Sequence, residues 1–328
     1  MSDFTIAAAA DNAEARKLLV GATAPNASPT QLQLFSPEHI DRALGLGFRR
    51  AEWVWAARDG DTTLGVIAGW GSEHRSTPRL LDFLDASAAG DARDVVALAL
   101  LERAARDSVA ADGSRVELIH FLPSDTVTDD PDVAWLIGIL ERAGFRMLVR
   151  RRRYRFQVSD AHVRAPSTSL RFEPIAGPTD PRLVQVLAEI LVGSLDAHDI
   201  SALANADLDR VARETAVEYL EIDPAESVFL AFDPEGTLVG LVVGGLRGAP
   251  STTGTNGTAS FIGVSHLHRG HGYAAQLLGW ITERMIAAGA ETIVGETDDD
   301  NFPMARAFAA VGYPQTEARI DFQSTAAS

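Results

Sequence analysis

The stretch from Ala259 to Ala288, ASFIGVSHLHRGHGYAAQLLGWITERMIAA, decides the fold. Its opening run, Ala259–Ser265, is apolar and β-prone and predicts a strand. His268-Arg269-Gly270-His271-Gly272-Tyr273-Ala274 then predicts a tight glycine-rich turn. From Gly272 to Ala288 the residues Ala274, Leu277, Leu278, Ile281 and Met285 recur at helical spacing and share one face. Strand, glycine turn and helix in that order make an anion site, because the first helical turn has unpaired N–H groups and the positive end of the macrodipole. Gly270 and Gly272 let backbone approach a ligand without interference from Cβ. Arg269 adds a fixed charge able to take a phosphate in two hydrogen bonds. A pyrophosphate fits this description. The loop is not a P-loop, which ends in Lys-Ser/Thr, nor the dinucleotide fingerprint with its three glycines and a following acidic residue. The plain alternative is a glycine turn that only caps a core helix.

Around this stretch the second half alternates strands and helices about a mixed sheet. Strands are expected at Leu170–Ile175, Val228–Phe232, Leu238–Leu246, Thr292–Glu296 and Glu317–Phe322, and helices at Pro181–Leu195, Leu208–Leu220 and Phe302–Ala310. Residues 248–257, GAPSTTGTNG, read as a flexible hairpin loop. The first half repeats parts of this order. Trp53–Ala57, a turn at Asp59–Thr62 and Leu64–Gly69 match Val228–Phe232, the turn at Asp233–Gly236 and Leu238–Gly244, with Gly65 and Gly240 in equivalent places. Later, Leu140–Phe145 and Phe308–Tyr313 each end a helix at a glycine followed by an aromatic residue and a strand pattern. Two matches in the same order predict a duplicated domain. The join is expected near Val158–Ser169, giving domains 1–160 and 161–328.

Composition sets the outer limits. With 328 residues, 46% hydrophobic and 23% charged, the chain has material for two globular cores. Its apolar runs are too short to span a bilayer, and no basic region precedes the alanines of the N-terminal stretch, so neither membrane nor signal peptide is expected. The absence of cysteine excludes disulfides, thiolate metal sites and cysteine nucleophiles, and a cytoplasmic location is the default. No metal site is expected. The net charge of −16 divides as −4 over residues 1–160 and −12 over residues 161–328, which repels nucleic acid and favours a cationic ligand such as an amine. The run Arg150–Arg153 reads as part of a strand, at an exposed edge or facing the acidic second half; a nucleic-acid patch is the weaker reading.

On Arg269-x-x-Gly272-x-Ala274 the second half resembles the GNAT superfamily of acyl-CoA-dependent N-acetyltransferases. The resemblance covers most of residues 169–323 and implies a fold of two tandem GNAT-like domains (α/β, mixed α+β), each a central mixed β-sheet flanked by helices, as in tandem members of the mycothiol synthase type. It implies that Arg269, Gly270, His271, Gly272, Tyr273 and Ala274 bind the pyrophosphate of acetyl-CoA, that Ile262, Gly263 and Val264 pair with its pantetheine, and that Asn301 also contacts it. Where the first half should carry the same loop, Ala86–Ala92 has one glycine, no arginine and Asp91, so that half is expected not to bind coenzyme A. Each half also ends after one strand where the family commonly has two, which leaves room for strand exchange.

Acetyl transfer to an amine needs a base for the ammonium proton and a donor for the leaving thiolate. The family's usual carboxylate has no counterpart between Gly248 and His268, and its tyrosine position holds Phe308. Glu296 is the first candidate for the base, then His266 and His268. Asp196, His198 and Asp199 are candidates for holding an amine's charge, or form a polar loop; Tyr313 or Tyr219 would replace the missing acid. Asp298-Asp299-Asp300 is expected to cap the helix at Phe302. The expected activity is N-acetyl transfer to a small-molecule primary amine by direct attack in a ternary complex. The alternatives are a non-catalytic acyl-CoA-binding or interaction protein, or a transferase using another acyl-CoA or a protein amine. The oligomeric state is not legible.

Overall fold

The computed structural model describes residues 4–22, 28–72, 74–86, 90–109, 116–126, 130–159, 168–251 and 254–325. The chain divides into two compact units, unit 1 comprising Met1–Arg150 with Glu317–Ser328, and unit 2 comprising Arg151–Thr316.

In unit 1 the elements are β1 (Thr5–Ala8), α1 (Asn12–Val20), α2 (Pro29–Leu34), α3 (Pro37–Gly45), β2 (Val54–Asp59), β3 (Thr62–Trp70), β4 (Leu80–Asp85), α4 (Asp91–Asp107), β5 (Glu117–Pro123), α5 (Pro131–Arg142) and the start of β6 (Phe145–Gln157). Unit 2 continues with the rest of β6, then β7 (Arg171–Pro174), α6 (Pro181–Leu191), α7 (Ala197–Leu203), α8 (Leu208–Ile222), β8 (Val228–Phe232), β9 (Leu238–Ser251), β10 (Gly254–Val264), α9 (Tyr273–Ala287), β11 (Thr292–Asp298) and α10 (Phe302–Val311). The final strand, β12 (Gln315–Ser324), returns to unit 1.

The two units have the same strand order. Unit 1 runs β1-β2-β3-β4-β5-β12 and unit 2 runs β7-β8-β9-β10-β11-β6. In each, one neighbouring pair is parallel, β4 with β5 and β10 with β11. The expected hairpins form, with Ala57 opposite Gly65 and Ala231 opposite Gly240. Both glycines are required by the same close approach. A Cβ on Gly65 would lie 2.7 Å from the Asp85 carbonyl, and one on Gly240 would lie 2.6 Å from the Gly263 carbonyl. Each sheet is covered on both faces. In β8, Val228, Leu230 and Phe232 enter the core with α6 and α8, while Phe229 and Ala231 enter the core with α9 and α10. This is the period-2 alternation of a strand buried on both faces.

The expected domain boundary at 160/161 is corrected, because the terminal strands are exchanged. The strand after α5 pairs through Arg151–Gln157 with β11, and the strand after α10 pairs through Glu317–Gln323 with β5. Side-chain alternation fits these placements. Ala318, Ile320 and Phe322 enter the core of unit 1, whereas Tyr154 and Phe156 enter that of unit 2. Most of the expected join, residues 160–167, lies outside the described residues.

Two local expectations are also corrected. GAPSTTGTNG is not simply a loop, since β9 and β10 stay paired as far as Asn256 opposite Arg247 and Gly254 opposite Ser251. The polar stretch after Leu195 contains α7, whose N-cap Asp196 accepts from the N–H groups of His198 and Asp199. Among the described residues no helix is long and apolar enough to cross a membrane.

Candidate active site

In unit 2 the strands β10 and β11 are paired only from Asn256–Ala259 against Thr292–Gly295. A bulge between Ala259 and Phe261 then redirects β10, and Phe261–Val264 continue in register with β9 alone. The strands therefore part at their C-terminal ends, leaving the edge of Ile262, Gly263 and Val264 open towards β11. Gly263 has no room for a side chain, because a Cβ would meet Phe261 at 2.6 Å and Ile190 at 2.7 Å.

The glycine turn follows this edge. Gly272 is the N-cap of α9 with φ of 74°, and Gly270 has φ of 90°. A Cβ on either would meet nothing within 4 Å, so the turn faces open space. No side chain caps α9, so the N–H groups of its first turn, at Tyr273 and Ala274, are left for a ligand. The His271 ring stacks near Tyr273 at 5.5 Å and its Nδ1 lies 3.1 Å from the His268 carbonyl. These residues fit a diphosphate at the helix end and an extended amide-bearing arm along β10.

Arg269 is placed differently from expectation. Its guanidinium donates to the carbonyls of Gly193 and Ile190, both at 2.7 Å, and to that of Val264 at 3.3 Å. It braces the glycine turn against the C-terminal end of α6, where a cation complements the helix dipole. Asn301 is the N-cap of α10, its Oδ1 accepting from the Met304 N–H at 3.2 Å. That cap was expected from Asp298–Asp300; instead Asp298 accepts from the Ala197 N–H at 2.7 Å, and Asp299 pairs with Arg152.

The candidate bases separate clearly. Glu296 lies opposite Arg153 in the β6–β11 register and forms an ion pair with its guanidinium, both side chains being largely buried. A carboxylate so neutralised is poorly suited to take a proton, which corrects its first ranking. His266 is exposed, with Nδ1 2.9 Å from the Glu189 carbonyl at the end of α6. Within the arginine run, Arg151, Arg152 and Arg153 meet carboxylates of the second half, while Arg150 donates to the Thr126 carbonyl at 2.8 Å. Arg151 pairs with Asp196 at 2.9 Å and with Asp298 at 3.0 Å.

A further carboxylate near this end of β11 is Asp199. It sits in the first turn of α7, accepts from the Ser194 hydroxyl at 2.6 Å, and shares its surroundings with Asp196 and Asp298. Burial, then the neighbouring Asp196 carboxylate, pushes its pKa up to about 6. Asp196 stays well below the usual range because His198 and Arg151 hold its charge against its own burial. Asp298 is pushed up by burial and by Asp196. The cluster adjoins β11 through the Asp298–Ala197 bond, past the point where β11 has left β10.

The candidate acids also separate. Tyr313 is buried, shares a 2.7 Å hydrogen bond with Thr282, and burial raises its pKa. Tyr219 packs on Phe261 at 4.8 Å, next to the open edge of β10. Among the described residues no group of three or more His, Asp or Glu is arranged to hold a metal ion.

Residues 197–313, which lie within unit 2, match the model of the Acetyltransferase (GNAT) family. Solved structures agree in fold over the whole length. A GCN5-related N-acetyltransferase from Sphaerobacter thermophilus is 15% identical with a TM-score of 0.61, over 98% of this chain and 95% of that one. A tandem GNAT protein from the clavulanic acid biosynthesis pathway is 15% identical with a TM-score of 0.56, over 99% of both. A glucosamine N-acetyltransferase region of a fungal multi-domain β-N-acetylglucosaminidase is 14% identical with a TM-score of 0.61, over 98% of this chain and 38% of that one. The chain thus has the tandem GNAT fold.

Proposed function

We propose that unit 2 transfers an acetyl group from acetyl-CoA to a primary amine of a small molecule, by direct attack in a ternary complex in the cytoplasm, with no metal and no nucleic-acid partner. The observation that carries this reading is the parting of β10 from β11 in front of the uncapped α9. The first-turn N–H groups of α9 and the turn Gly270–Gly272 bind the diphosphate, and the open edge of Ile262–Val264 orients the pantetheine amides. Asn301 borders the same mouth, and Arg269 keeps the turn in place.

The acceptor amine arrives as an ammonium ion. Asp199 takes one of its protons, being a carboxylate whose affinity for a proton is moved towards neutrality by burial and by Asp196. The neutral amine then attacks the acyl carbonyl, which the β10 edge polarises. Tyr219 supplies the proton to the departing sulfur and recovers one from the second proton that the attacking nitrogen sheds as the amide forms.

Calorimetric titration with acetyl-CoA, followed by an amine screen read by thiol release, tests the reading. One site per chain and amine-dependent release are expected. Binding without release from small amines, peptides or other acyl-CoAs would replace the enzyme by an acyl-CoA-binding protein. Release only with a longer acyl-CoA or a peptide would move the substrate class.

A further inference from the structure

Unit 1 repeats the parting of strands. β4 and β5 pair only at Leu80–Glu117 and Leu81–Leu118, and then separate. Here the gap is spanned by the chain itself. Gln31, on α2 and 1% exposed, donates through Nε2 to the Asp82 carbonyl on β4 at 3.2 Å. Its Oε1 accepts the Phe121 N–H of β5 at 3.0 Å. One side-chain amide thus takes the place a ligand's amide would occupy between two parted strands, and an extended arm cannot pair there.

Beside this plug a cavity of about 290 Å³ remains. Phe35, Phe83, Leu118 and Trp135 give it an apolar wall, and His120 on β5 lines it. Among the described residues neither nitrogen of the His120 ring has a hydrogen-bond partner. The other polar groups are occupied or opposed. Asp82 is held by Arg49 through contacts of 2.8 and 2.9 Å. Arg93 lies on the Trp135 ring at 3.5 Å, while Asp85 and Asp132 border the space. An anion would meet two carboxylates, and a purely apolar guest would leave the hydrogen-bonding capacity of the partly buried imidazole unused.

We propose that the β4–β5 cleft of unit 1 is a second small-molecule site, closed to acyl-CoA by Gln31 and suited to an uncharged single-ring aromatic molecule with one hydroxyl group. The ring lies among Phe35, Phe83 and Trp135, and the hydroxyl bonds to the neutral imidazole of His120. Nothing in this assignment depends on the acetyl-transfer reading of unit 2.

The test uses phenol as probe and toluene and benzoate as controls, on the full-length protein, read by calorimetry and by the NMR signals of His120 and Trp135. Phenol is expected to bind once per chain and to shift both signals, with benzoate inactive and saturating acetyl-CoA without effect on phenol affinity. His120→Leu should weaken phenol about 5-fold and leave toluene unchanged, the loss of one neutral hydrogen bond. Should that variant not fold, the His120 signal of the unaltered protein decides. Silence of both signals up to about 10 mM phenol, well above the affinity of an efficient one-ring ligand, overturns the proposal. Displacement of phenol by acetyl-CoA, equal phenol affinity in a folded His120→Leu protein, or stronger binding of benzoate would overturn it too.

Discussion

The clefts of the two units share a backbone and differ in what occupies it. In both, a parallel strand pair separates in front of a helix whose N-cap is a glycine with positive φ, Gly90 at 60° and Gly272 at 74°. The helices α1–α3, α5–α8 and α10 instead begin with Asp, Ser or Asn side chains that accept from their own first turn. In unit 2 the separated edge of β10 is left open and the turn is braced from outside by Arg269. In unit 1 Gln31 bridges the strands and an isolated histidine lines what remains. The lesson is that the duplicated fold has the gap in both units, while the side chains entering the gap decide its use.

The comparison can be broken at its chemistry first. Asp199→Asn should lower amine-dependent acetyl transfer by about 100-fold or more, the usual contribution of a general base, with little change in acetyl-CoA affinity. The rising limb of kcat/KM near pH 6 should vanish with it. A rate within a few-fold of the parent would return the proton to another group. Next in size is the turn. Gly272→Val places a β-branched residue at φ of 74° and tilts the first-turn N–H groups, so acetyl-CoA affinity should fall about 10- to 100-fold, with a stability cost of about 1–2 kcal/mol. Gly90→Val should cost similar stability and leave acetyl-CoA binding untouched. If both variants lose binding, unit 1 is a working acyl-CoA site.

Arg269→Ala sharpens the contrast between bracing and direct contact. It leaves the carbonyls of Ile190 and Gly193 without their donor and should destabilise unit 2 by about 1–3 kcal/mol, read as a fall in melting temperature. An unchanged melting temperature with weakened acetyl-CoA binding would show that the guanidinium works on the phosphates instead.

The smallest expected effect concerns acid, where the units should respond with opposite sign. His120 is depressed from 6.5 to about 4 by burial, so its contribution to stability is full above pH 6.5 and is lost as pH falls towards 4. Asp199 is raised from 3.8 to about 6, so its contribution is full below pH 3.8 and is lost as pH rises through 6. Between pH 4 and 6.5, His120→Leu should resist acidification better than the parent, and Asp199→Asn should gain least from it. Each effect is on the order of 1–2 kcal/mol after allowing for partial exposure. Parallel melting curves for parent and variants across that range would remove both assignments.

Much of the fold is legible because its signals are local. Leu277, Leu278, Ile281 and Met285 at helical spacing announce α9, and all four are buried where the pattern places them. The hairpin at Gly240 and the glycine after α10, Gly312 with φ of 98°, follow from turn chemistry of the same short range. The short α7 escapes because none of its residues is buried, so no apolar periodicity marks it. The ends of β9 and β10 escape because Gly248–Gly257 has a loop's composition, while backbone pairing between two strands does not depend on composition.

By itself, then, the sequence determined the class of fold, its duplication and the place of the glycine turn, since periodicity and backbone freedom act over a few residues. Only the tertiary structure decided which strand completes which sheet, because alternation with a period of two tells that a strand is buried but not beside which neighbour. It also decided which charges survive. Glu296 meets Arg153 across 143 positions and Arg269 meets Gly193 across 76, and a charge's chemistry depends on the partner that folding brings within hydrogen-bond distance.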